Sequence, residues 1–121
     1  MKYSELVVWQ KAMDWVTSIY KITSTFPNDE RFGLTSQIRR AAVSVPSNIA
    51  EGHGRKASGA YINHLSIALG SIMEVETQIQ IAMRLNFIDT ETCANFLTQT
   101  DEIGRMLGGL KKSISSQSES Q

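Results

Sequence analysis

The sequence predicts an all-α fold, an antiparallel up-and-down four-helix bundle. Three observations carry this. Apolar residues recur at three- and four-residue spacing along nearly the whole chain, Pro or Gly clusters interrupt the pattern three times, and no segment alternates with the period of two that marks a strand. The interruptions divide the 121 residues into four helical segments, and short connections make sequence neighbours antiparallel. One domain is expected over residues 1–114, followed by a disordered polar tail at 115–121.

The first helix is expected from about Ser4 to Thr25, with Trp9, Ala12, Met13, Val16, Ile19, Tyr20 and Thr23 inward, and it stops at Phe26-Pro27-Asn28. Val8, Trp15 and Ile22 widen that face. The second helix begins between Asn28 and Leu34 and carries Leu34, Ile38, Ala41, Val45, Asn48, Ile49 and Gly52 on its inward stripe. Pro46 lies within it and predicts a kink, because its ring crowds the carbonyl of Ala42 and it has no N–H to donate. The helix ends near Gly52-His53-Gly54, where the glycines are expected to supply left-handed φ. Ser58 is the expected cap of a third helix reaching about Leu85. Asp89 or Thr90 caps a fourth running to about Ser113, with Cys93, Phe96, Thr100, Ile103, Leu107 and Ile114 on one face.

The third helix has more apolar surface than a bundle needs. Tyr61, Leu65, Ala68, Leu69, Ile72, Val75, Ile79, Ala82 and Met83 form its core stripe, while Ile67, Gly70, Glu74, Ile81 and Leu85 occupy a separate sector. Between Ala57 and Met73 it carries no Lys, Arg, Asp or Glu. A monomer would leave this sector in water, so an obligate homo-oligomer with Ile67, Ile81 and Leu85 at the subunit interface is expected. The alternative is a wide intramolecular core that reaches both neighbouring helices.

Twelve Lys and Arg balance twelve Asp and Glu, and a pI near 6.7 excludes a strongly cationic coat. A single cysteine, Cys93, forms no internal disulfide and points to the cytoplasm. The run Leu6 to Trp9 is too short for a signal-peptide core, and the uncharged stretch from Ala57 contains Asn63 and His64, so no membrane span is expected. Two histidines, His53 and His64, are a poor ligand supply for a metal. With no metal-binding His-Glu motif and no nucleophile elbow, neither an enzyme nor a cofactor is expected. Cys93 lies on an apolar face and reads as a buried structural thiol.

Gln37, Arg40, Ser44, Asn48, Glu51 and Arg55 form a polar stripe along one edge of the second helix. It is either a solvated edge or a hydrogen-bonded network. In the network reading Arg40, Asn48 and Glu51 join Glu74, a carboxylate flanked by Ile67 and Ile81 that needs a partner if buried. Gln37, Asn48, Glu51 and Glu74 are therefore the candidate residues of a polar network or subunit interface. Gly52-His53-Gly54-Arg55-Lys56 could offer a phosphate site before the third helix, but a plain helix connection is favoured because no strand precedes it.

The segments Leu6-Val7-Val8-Trp9-Gln10-Lys11-Ala12, Glu30-Arg31-Phe32-Gly33-Leu34, Gln37 through Val45-Pro46-Ser47-Asn48-Ile49-Ala50-Glu51-Gly52, and Ala68 through Glu74-Val75-Glu76-Thr77 resemble one bacterial four-helix-bundle family. That family includes proteins encoded in intervening sequences of large-subunit ribosomal RNA genes, and the resemblance covers about residues 3–112. Its members are similar to the accessory protein of diversity-generating retroelements, a pentameric barrel that binds a reverse transcriptase and nucleic acid. The resemblance thus implies a homopentamer, no catalytic residues, and RNA or DNA, a reverse transcriptase or another protein as partners. At the matching positions, Arg39, Arg40, Arg55 and Lys56 would contact phosphates. Residues 31–56 hold five basic residues against one acidic, Glu51. Phe32 is the only aromatic residue in that region, so base stacking is not expected. The expected function is a non-enzymatic accessory or scaffold binding nucleic-acid backbones, with a protein-only interaction module as the alternative.

Overall fold

The computed structural model describes the backbone of residues 1–119 and the side chains of residues 1–117. The described residues form four α-helices and no strand: α1 (Val7–Thr23), α2 (Leu34–His53), α3 (Ser58–Arg84) and α4 (Thr90–Glu119), with 3₁₀ turns at Tyr3–Glu5 and Asn28–Glu30. α2 packs most extensively on α3, α3 on α4 and α1 on α2. α1 and α4 close the circuit with the thinnest seam, and among the described residues the diagonal helices make no close backbone approach. The centre is aliphatic, with Ile19, Ile38, Val45, Ile49, Leu65, Val75, Ile79 and Leu107 fully buried.

Each boundary has a local cause. α3 ends where Asn86 takes φ 62°, a left-handed conformation that Asn tolerates. Phe87 N–H donates to Ala82 O and Asn86 N–H to Met83 O, both at 2.9 Å, satisfying the last carbonyls of the helix. Phe87 then packs on Phe26 with ring centroids 5.4 Å apart, which ties the α3–α4 corner to the end of α1. Asp89 caps α4 by accepting from Thr92 N–H at 2.7 Å, and bonding to the Thr92 hydroxyl and amide holds its carboxyl below the usual range. Ala57, one residue before the expected Ser58, is the N-cap of α3.

Three expectations change. α4 continues to Glu119, so 115–119 is helical and not a disordered tail: Ile114 is buried, and neither Gly nor Pro follows to stop the helix. Ser120 and Gln121, the end of that expected tail, lie outside the described residues. α2 runs from Leu34 to His53 with the buried Pro46 inside it, where the sequence places the proline. No described glycine has positive φ, and Gly54 sits at φ −78°. Gly52 instead permits close approach, since a Cβ there would lie 2.8 Å from His64 Cβ and 3.0 Å from Tyr61 Cδ1. α1, finally, is rotated from its expected facing, burying Val8, Ala12, Trp15, Ile19 and Thr23 while Met13 and Tyr20 are exposed. Trp15 sets this facing, because its indole N–H donates to Thr100 Oγ1 of α4 at 2.9 Å.

Gly52→Ala is expected to destabilise the bundle by ~1–3 kcal/mol, because the clash outweighs the helix propensity gained. Gly109→Ala, in open space on α4, should stabilise it by ~0.5–1 kcal/mol. Urea midpoints of the two variants check both signs; equal shifts would remove Gly52 as a packing constraint.

Candidate functional site

The polar stripe of α2 faces α3 and forms a hydrogen-bonded ladder. Ser71 Oγ donates to Ser44 Oγ at 3.0 Å, and Asn48 Nδ2 donates to Ser44 Oγ at 3.0 Å and Ser44 O at 2.9 Å. This orients Asn48 Oδ1 toward His64 Nδ1, 3.0 Å away, so that ring nitrogen carries the proton. Glu51 Oε2 stands 3.8 Å from the same nitrogen. The antiparallel register that pairs Asn48 with His64 and Ser44 with Ser71 also sets Arg40 across from Glu74, and Gln37 across from Gln78.

Those last four residues line an open groove of ≈ 440 Å³ between α2 and α3. The expected network is therefore only partly present within the chain. Asn48 joins it and Glu51 reaches its edge, but no ion pair links Arg40 to Glu74 among the described residues. Both are exposed, and water competes well for such a pair. Gln78 Oε1 is enclosed without a donor.

The four candidate phosphate-binding residues are not one patch. Arg39 clamps α2 to α1: its Nε donates to Thr23 Oγ1 at 2.8 Å, Nη2 donates to Tyr20 O at 3.1 Å, and the guanidinium lies 4.5 Å from the Tyr20 ring centroid. Arg40 is exposed beside it and has no ion pair among the described residues. Arg55 and Lys56 occupy the α2–α3 connection, roughly 20 Å further along at 1.5 Å per residue. Lys111 and Lys112 line a groove with Ile62 near the start of α3, so they share that end of the bundle. The sequence reading missed them because their proximity depends on how α4 runs beside α3.

Ile67, Gly70, Glu74, Ile81 and Leu85 are all exposed, as is Met73 at 65%. A second apolar surface lies between α1 and α2, where Trp9, Met13, Val16, Val43, Pro46 and Ala50 line a groove of ≈ 310 Å³. Burial pushes the Cys93 thiol up and keeps it protonated near neutrality. His53 joins the Tyr61 hydroxyl at 3.1 Å and Met1 O at 2.8 Å, fastening the N-terminal segment to the α2–α3 corner. No group of His, Cys, Asp or Glu among the described residues could hold a metal, and no described helix is long and apolar enough to cross a membrane.

The model of the 23S rRNA-intervening sequence protein family matches residues 4–109. The chain belongs to that family. It is the family the sequence segments pointed to. A crystal structure of a protein of unknown function from the S23 ribosomal protein family of Bacteroides thetaiotaomicron VPI-5482 is similar, with a TM-score of 0.79 and 27% identity over 88% of this chain and 99% of that one. A comparison with curated proteins finds no match. Membership fixes the helical architecture, while the chemistry of this chain has to be read from its surfaces.

Because Arg39 holds two helices together, Arg39→Ala should cost ~1–3 kcal/mol of stability, whereas Arg40→Ala should stay within ~0.5 kcal/mol. Thermal denaturation separates them; equal effects would show that the Arg39 clamp contributes nothing.

Proposed function

We propose that this protein is a non-enzymatic accessory or scaffold protein of the cytoplasm. It assembles as a homopentameric ring, the number implied by the resemblance, and presents the basic face of α2 to the phosphate backbone of RNA or DNA. The observation that carries assembly is the exposed stripe of α3. Ile67, Glu74 and Ile81 recur at the seven-residue spacing of a helix–helix seam, and Gly70 between them has nothing within 4 Å of a Cβ position, leaving room for a second backbone. The α1–α2 groove is an unlike apolar surface on the same chain. Stripe on groove is a heterologous contact, the kind that closes into rings. Glu74 and the enclosed Gln78 oxygen leave polar groups at the rim for a neighbouring subunit to satisfy. Repetition around a ring multiplies a modest basic face by avidity.

Zero net charge favours a second reading, in which the ring binds a protein, such as a reverse transcriptase, and no nucleic acid.

Light scattering should give five times the 13.4 kDa chain mass. Ile81→Asp on the stripe and Met13→Asp in the groove should each give smaller species with helical circular dichroism retained. A mixture of the two should recover a dimer through the one intact contact. A stable wild-type monomer at micromolar concentration overturns the assembly. Labelled RNA and DNA should bind at low salt, with log affinity falling linearly against log salt. Failure of both leaves the protein-only reading.

A further inference from the structure

Where α1, the Asn28–Glu30 turn and the start of α2 meet, Tyr20, Arg31, Phe32, Ser36, Arg39 and Arg40 line an open cleft of ≈ 460 Å³. No Asp or Glu lines it. Phe32 is 86% exposed, an unusual placement for a phenyl ring, and the Arg31 guanidinium lies 4.8 Å from its centroid. Tyr20 is also exposed, with Arg39 over its ring. The fold thus supplies the second aromatic side chain that the basic region lacks in sequence. Arg39 spends two donors on α1 and keeps others of its five free, while Arg31 and Arg40 have no ion pair among the described residues.

We propose that this cleft seats a single-stranded segment of nucleic acid. A base stacks on Phe32, and phosphates lie on Arg31, Arg40 and the free donors of Arg39. The inference rests on the nucleic-acid reading above and gives it a place and a strand preference. Guanidinium groups alone serve duplex phosphates or an acidic peptide equally well. An exposed ring beside them adds a surface that an unpaired base can use and a duplex base cannot, since duplex bases already stack on their neighbours.

The test uses the full chain and fluorescence anisotropy with a labelled oligouridylate, an oligothymidylate, a duplex of equal length and a labelled polyglutamate. Single strands should bind more tightly than duplex. Phe32→Ala should weaken the single strands roughly 5- to 100-fold without changing the salt slope, and Phe32→Trp should restore them. Arg31→Gln should lower the salt slope by about one. If nucleic acid binds but duplex is preferred, or Phe32→Ala has no effect, the cleft is overturned and the broader reading stands. Polyglutamate binding as tightly as the strands reassigns the cleft to acidic protein and overturns it. No binding by either nucleic acid overturns both.

Discussion

The closeness of α2 and α3 is the constraint around which the remaining surfaces are arranged. Gly52 beneath Tyr61 and His64, Ala41 beside the α2–α3 groove, and the Ser44–Ser71 hydroxyl pair let the two backbones approach where larger side chains would hold them apart. Close approach also fixes register, because each polar group of the ladder has one partner at one height. A helix pair held at a single register presents its other faces in fixed directions. Arg39 reaches α1, Arg40 and Glu74 stand at the mouth of the groove, and Ile67 and Ile81 face away from the core.

Much of this was legible in the sequence because helical periodicity is a local property. The four helices, the breaks at Pro27 and near Asn86, the exposed sector of α3 and the family all follow from spacing and short segments. What the sequence withheld depends on partners. α1 offers a broad apolar face from Val8 to Tyr20, and which part is buried is decided by an indole finding Thr100, 85 residues later in the chain. A glycine that turns the chain and a glycine that admits a neighbouring helix look alike until the neighbour is placed, and Tyr61 and His64 make Gly52 the second kind. Tyr20 joins the arginine cleft only through the pairing of α1 with α2. The composition of 115–119 reads as unstructured, yet it follows a helix that nothing stops.

Zero net charge now has a spatial meaning. Acids are absent from the lining of the Tyr20–Phe32 cleft, while Arg55, Lys56, Lys111 and Lys112 gather at the opposite end of α2. Neutrality therefore holds for the chain and fails locally in two places. A surface organised in this way lacks long-range attraction for polyanions and acts through short-range contacts once an encounter has occurred. Affinity from so few charges per chain would depend strongly on how many copies act together.

The seam between α1 and α4 sets how the bundle comes apart. It is the thinnest of the four, held by the Trp15–Thr100 hydrogen bond and the Lys11–Glu102 ion pair around a recess of ≈ 200 Å³. Of the four helices α1 is also the least extensively packed, so sub-global opening is expected to begin at this seam and to free α1 only once the Arg39 clamp to α2 has given way. The departing helix uncovers a slot shaped for an α1 and carries the complementary helix with it. Between identical chains at high local concentration, that is the geometry of an exchange in which each molecule completes its neighbour.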